Sequence, residues 1–204
     1  MKYAVSRIHA ICLIVLVAQF GFGGTPDVAW AGDGTGSPVY IGIGPDFGFE
    51  DFSNTGGIDI DDAYGFYTWA GLRLTDVFAT ELNLEYLDGF DFSVFGVDIE
   101  GQALAFTINA KVFPLARVLT RRIEPFLYAG AGIGWAEYDA GSFGSVDDTA
   151  FIFRFGGGLD LYLTKKLAFQ VSSSYVLPTG DLDDFAYVSL VLGLQYRFGQ
   201  PSSP

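Results

Sequence analysis

Residues 80–87 read TELNLEYL. Glu81, Asn83 and Glu85 alternate with Leu82, Leu84 and Tyr86. Successive side chains of a β-strand point to opposite faces, so this stretch has one polar face and one apolar face. A soluble sheet would turn the carboxylates to water and the leucines to a core. A membrane barrel does the reverse, with leucines toward lipid and carboxylates toward the lumen. The local pattern is the same in both, and the rest of the chain decides between them.

Eight segments share the design, at roughly 38–48, 64–74, 78–87, 102–113, 124–136, 151–163, 167–177 and 186–198. Each has about the 9–11 residues that a tilted strand needs to cross a bilayer. In 104–112, Leu104, Phe106, Ile108, Ala110 and Val112 oppose Ala105, Thr107, Asn109 and Lys111. In 153–163, Phe153, Phe155, Leu159, Leu161 and Leu163 oppose Arg154, Gly156, Gly158, Asp160 and Tyr162. Short connections fall near Thr75–Val77 and Thr164–Lys166, with a medium one at 114–125. Long polar connections fall at 49–63, 88–101, 137–150 and 178–185. An even strand number with long and short connections in alternation is the signature of an outer-membrane barrel.

Charge follows connection length. The long connections carry carboxylates, among them Asp59, Asp61, Asp62, Asp98, Glu100, Asp181, Asp183 and Asp184, and no Lys or Arg. The others carry Arg117, Arg121, Arg122, Lys165 and Lys166. Long loops are assigned to the outside and short turns to the periplasm.

The apolar face is aliphatic, with rings at its ends: Phe78 and Tyr86 bracket Leu82 and Leu84, and Tyr196 with Phe198 ends another row. This predicts two aromatic girdles around an aliphatic band. The opposite face collects Arg73, Glu81, Asn83, Glu85, Asn109, Lys111, Arg154, Asp160, Gln170, Gln195 and Arg197, which suits a polar lumen. The fold expected is all-β, a single eight-stranded antiparallel up-and-down transmembrane β-barrel. A soluble barrel of lipocalin type is the alternative, and it would stay monodisperse without detergent. Abundant glycine (27) and Phe (20) agree with β structure, and a net charge of −13 disfavours nucleic acid as a partner.

The first residues read differently. Lys2 and Arg7 precede the run ICLIVLVA, and Ala29-Trp30-Ala31 forms an A-x-A site before Gly32. This is the layout of a cleaved secretory signal peptide. The expected organisation is residues 1–31 as signal and 32–204 as barrel. Cleavage would remove His9 and Cys12, the only residues of their kinds. Ser172 and Ser174 lie on the inward face, but no imidazole would remain to activate them. An enzyme is therefore not expected, and no cofactor is.

An eight-stranded barrel has an interior just wide enough for side chains to fill. Buried charges there must pair, because an unpaired one costs several kcal/mol. Arg73, Glu81, Glu85, Lys111, Arg154, Asp160 and Arg197 form the candidate charge cluster, a plug or a gate. Glu81 is expected between Arg73 and Lys111. Gly130, Gly132, Gly134, Gly156 and Gly158 are expected to make room for an Arg, Tyr67 or Trp69 from across the lumen. The acidic runs IDIDD (58–62) and GDLDDF (180–185) offer oxygen ligands at alternate positions, a weak calcium pattern through Asp59, Asp61, Asp62, Asp181, Asp183 and Asp184. They lack the ligand order of an EF-hand, and a solvated acidic surface is the plainer reading.

The segments PVYIGIG (38–44), GLRLTDVFATELNLEYL (71–87), FLYAGAGIGW (126–135), FGGGLDLYLTKKLAFQVSSSY (155–175) and VLGLQYRF (191–198) resemble the OmpA/OmpX/Opa-type outer-membrane β-barrel family. The resemblance covers roughly 38–198 and implies insertion by the barrel-assembly machinery, with Phe198 matching the C-terminal aromatic signal. It implies outer-membrane lipids and lipopolysaccharide as surroundings and assigns no activity. The expected role is non-enzymatic: envelope structure and surface interaction through the acidic loops, with a ligand or host partner left unnamed. A low-conductance channel and a calcium-dependent adhesin are the alternatives.

Overall fold

The computed structural model describes residues 39–50, 62–90, 92–94, 97–116, 122–139, 145–164, 166–180 and 185–198. The signal segment, Asp59, Asp61, Asp181, Asp183, Asp184, Arg117, Arg121 and Lys165 lie outside the described residues. The strands are β1 (Val39–Glu50), β2 (Ala63–Arg73), β3 (Phe78–Asp88), β4 (Phe92–Val94), β5 (Val97–Val112), β6 (Ile123–Asp139), β7 (Ser145–Tyr162), β8 (Leu167–Pro178) and β9 (Tyr187–Arg197). Other than β3 and β4, neighbours in sequence pair antiparallel, β3 pairs with β5, and β9 returns to β1. Eight strands thus close into a barrel. The short β4 lies outside it and pairs only with the start of β5.

Closure is strongly staggered. From Tyr40 the register runs through Gly71, Glu81, Asn109, Gly130, Arg154 and Val176 to Tyr187 on β9. Yet the β9 residue directly opposite Tyr40 is Arg197, ten positions further along. A shear of this size tilts the strands, as closure of a small barrel requires. It also brings residues together that share no row of the ladder.

The two shortest turns use one device. In LTDVF (74–78) the amides of Leu74 and Thr75 both donate to the Phe78 carbonyl, at 2.9 and 3.0 Å. In LTKKL (163–167) those of Leu163 and Thr164 donate to the Leu167 carbonyl at the same distances. The Thr75 hydroxyl accepts from Val77 N, and that of Thr164 from Lys166 N and Leu167 N. A threonine that satisfies the turn's own amides fixes where each hairpin reverses.

The opposite end differs from the sequence expectation. Residues 88–101 and 137–150 read as long loops. Instead β6 runs to Asp139, β7 starts at Ser145, and β4 with the start of β5 forms a small hairpin. The register sets Glu100 opposite Asp139 and Glu137 opposite Asp147. Above the bilayer both faces of a strand are wet, so the apolar alternation that reveals a strand is lost while the backbone pairing continues.

The outer face carries the apolar belt. Ile108 is 56% exposed and Leu127 61%, while Lys111 and Glu85 on the inner face are 0% and 1%. Rings mark both rims. Phe151 and Phe153 pack edge to face at 5.0 Å on the extracellular side, and Tyr196 with Phe198 at 5.2 Å on the periplasmic side. A belt of exposed aliphatics bounded by rings fits lipid and no aqueous surface.

Candidate functional site

The interior is layered. At the periplasmic mouth, Arg73 Nη1 lies 2.7 Å from Glu124 Oε2, the Tyr162 hydroxyl donates to the same oxygen at 2.9 Å, and Arg197 reaches it at 3.4 Å. Arg73 stacks over the Phe113 ring at 4.0 Å and Arg197 over Tyr162 at 4.2 Å.

One layer further in, Lys111 Nζ donates to Glu81 Oε1 at 2.9 Å and to Gln170 Oε1 at 3.1 Å. It stands 3.6 Å from the centroid of the Phe126 ring and 3.7 Å from Asp160 Oδ2. The Tyr40 hydroxyl also donates to Glu81, at 2.7 Å. Asp160 is fully buried, and neither of its oxygens has a hydrogen bond. Above this layer Trp69 Nε1 donates to Gln195 Oε1 at 3.0 Å, and Asn83 donates to the Tyr67 hydroxyl.

The next charged layer pairs Arg154 with Glu85. Tyr187 donates to the same Glu85 oxygen at 2.9 Å, and Ser189 donates to Asp46 at 2.8 Å. The extracellular end is apolar. Leu87, Phe90, Ile152, Val176 and Phe185 cluster there with Ala103, Ala105, Ala136 and Ala150. Phe90 and Phe185 meet edge to face at 4.9 Å. Gly89, at φ 102°, turns the chain after β3, and the amides of Gly89 and Phe90 both donate to the Gly101 carbonyl. That bond holds Phe90 over the lumen.

The seven candidate charges therefore all lie in the lumen, but not as one cluster. Glu81 pairs with Lys111; Arg73 is not its neighbour. In register Glu81 stands opposite Gly71 and Asn109, while Arg73 stands opposite Ala79 and bonds Glu124. Parity along a strand gives the face, and only the shear gives the height. The glycines differ too. A Cβ at Gly42 would lie 2.1 Å from the Trp69 indole, and one at Gly193 2.5 Å from it. So β1 and β9 make room for Trp69, while Gly158 lies under Phe126.

Two lumen carboxylates escaped the sequence reading. Asp46 and Glu124 share the inward parity of Tyr40 and Phe126, and that signal was there to find. Both lie within segments that read as strands, 38–48 and 124–136. Asp62 is exposed, and Phe198 N donates to the Val39 carbonyl at 2.9 Å, tying the last strand to the first. Among the described residues no group of three or more His, Cys, Asp or Glu is placed to hold a metal ion.

An apolar belt outside and a packed ionic interior define a membrane-spanning barrel. Residues 15–198 match the family described as outer membrane protein beta-barrel domain, and the chain belongs to that family. Its place is the outer membrane. No curated protein matches it. Among solved structures it is similar to Neisserial surface protein A, at 14% identity over 79% of this chain and 98% of that one, with a TM-score of 0.61. It is similar to Ail, the attachment invasion locus protein of Yersinia pestis, at 19% identity over 80% and 99%, TM-score 0.55. Ail is also known in complex with the heparin analogue sucrose octasulfate. A third likeness is to OprG of Pseudomonas aeruginosa, at 13% identity over 84% and 100%, TM-score 0.56. At these identities the likeness is one of fold.

Proposed function

We propose that the protein is a non-enzymatic outer-membrane barrel, closed to solute flow, that contributes envelope structure and acts at the cell surface. The observation that carries this is the lumen itself. Its charged layers are occupied by paired side chains, and its extracellular end is closed by an apolar layer around Phe90 and Phe185. A narrow apolar constriction excludes water and with it ions. What remains for interaction is the extracellular end, where the sequence concentrates carboxylates. Those charges favour a cationic partner. A polysulfated ligand of the kind seen with Ail would be repelled.

A channel is the second reading, and one observation favours it. Lys111 stands within 4 Å of two carboxylates, Glu81 and Asp160, so an exchange of partners needs little movement. Single-channel recording of the refolded barrel in a planar bilayer separates the two. Silence is expected from the wild type, with openings in the double variant Phe90→Ala/Phe185→Ala. Steady wild-type openings that change in Glu81→Ala would overturn the closed reading and make the Lys111 layer a gate.

A further inference from the structure

The periplasmic mouth gathers two guanidiniums on one carboxylate. Arg73 and Arg197 share one acceptor, Glu124. Its Oε2 already takes Arg73 at 2.7 Å and Tyr162 at 2.9 Å, which leaves Arg197 a long contact of 3.4 Å. Among the described residues this is the one hydrogen bond of the Arg197 guanidinium, and its Nε has no partner. A guanidinium offers five donors in a planar fork, and among the described residues Glu124 engages one of those of Arg197. Its position is nonetheless fixed, by stacking on Tyr162.

The surroundings add charge of the same sign. Tyr162 N donates to the Arg122 carbonyl and Arg197 N to the Lys166 carbonyl, both at 2.8 Å, so two more cations start beside the pair. Among the described residues only Asp76, in the turn after β2, joins Glu124 as a carboxylate at this rim. Asp160 stands opposite Glu124 in the register, but within 4 Å its ion pair is with Lys111. In a chain of net charge −13, cationic residues thus gather at the periplasmic mouth.

We propose that this mouth is a binding site for one anionic group, a phosphate or a carboxylate, presented from the periplasm. Arg197 is the principal ligand and Arg73 the second. Glu124 holds the two guanidiniums in place. A planar guanidinium matches the two oxygens of such a group in a bidentate pair. The group comes either from a free periplasmic anion or from an inner-leaflet phospholipid headgroup that reaches over the rim.

The test titrates the full chain, refolded in non-ionic maltoside micelles, with inorganic phosphate and separately with acetate at low ionic strength. The Tyr162 ring and the arginine Nε–Hε signals are followed by NMR. A saturable shift of Tyr162 and Arg197 is expected with at least one probe, weakening as sodium chloride rises. Arg197→Gln should weaken the binding about tenfold, with Arg197→Lys between it and wild type, as loss of one charge-assisted pair implies. Unheated gel mobility verifies that each variant is folded. Absence of a saturable shift in the wild type overturns the proposal by itself, as does an unchanged midpoint in folded Arg197→Gln. Repeating the titration in phosphatidylcholine bilayers with and without phosphatidylglycerol assigns the source. Anionic lipid that shifts Tyr162 and competes with the probe identifies a headgroup; no competition identifies a free anion.

Discussion

At one end of the lumen Phe90 and Phe185 meet edge to face amid alanines; at the other Arg73 and Arg197 meet across Glu124. The extracellular end is apolar inside, and its strands run on past the bilayer into paired acidic segments. The periplasmic end is charged, with 11–15% of each ion-paired side chain exposed, and two of its hairpins reverse within a few residues. The two ends resolve the same difficulty differently. A closed barrel leaves an interior that must be filled, and each filling must satisfy its own polar groups. Apolar rings at the outer end have no polar groups to satisfy on that face and exclude water. Ion pairs at the inner end tolerate water, which screens and completes them.

The contrast yields a ranking of effects. The largest loss is expected from Arg154→Met, just beneath the apolar cap. It strands Glu85, which is 1% exposed, and a buried charge left alone costs about 3–5 kcal/mol. Urea unfolding in lipid vesicles measures it, and a midpoint equal to wild type would show the pair to be dispensable. The belt comes next. Ile108→Arg, at mid-height on the lipid face, should cost about 2–4 kcal/mol by the same assay, while Phe198→Arg at the rim should cost about 1 or less. Equal costs would mean that the belt is placed wrongly on the barrel.

Packing of the middle is tested by Gly42→Ala. Its new Cβ would meet the Trp69 indole, a collision expected to cost about 1–3 kcal/mol and to shift tryptophan fluorescence. An unperturbed spectrum would place Trp69 elsewhere. The smallest effect is expected at the periplasmic mouth. Arg73→Gln breaks a pair whose Glu124 keeps Tyr162 and Arg197 as partners, so the cost should stay at about 1 kcal/mol in the urea assay. A loss as large as that of Arg154→Met would erase the distinction between the ends.

Much of this was legible from residues alone. Strict alternation in 80–87 and 104–112 assigned each side chain to lipid or lumen, because a strand has a period of two and a bilayer tolerates no charge on its side. Loop lengths oriented the barrel, long connections outside and short turns in the periplasm. The strand extensions near Asp98 and Asp139 were not legible, since water on both faces leaves no alternation to read. The partners of the inward charges were not legible either. Sequence determined that Glu81, Lys111, Arg154 and Arg197 would face inward together. Only the closed barrel decided that Lys111 takes Glu81, that Arg154 takes Glu85, and that Arg197 is left under-bonded at the mouth. The period of a strand is a property of the backbone and is written in every residue. The ten-residue stagger that sets heights belongs to the ring of eight strands and to no one of them.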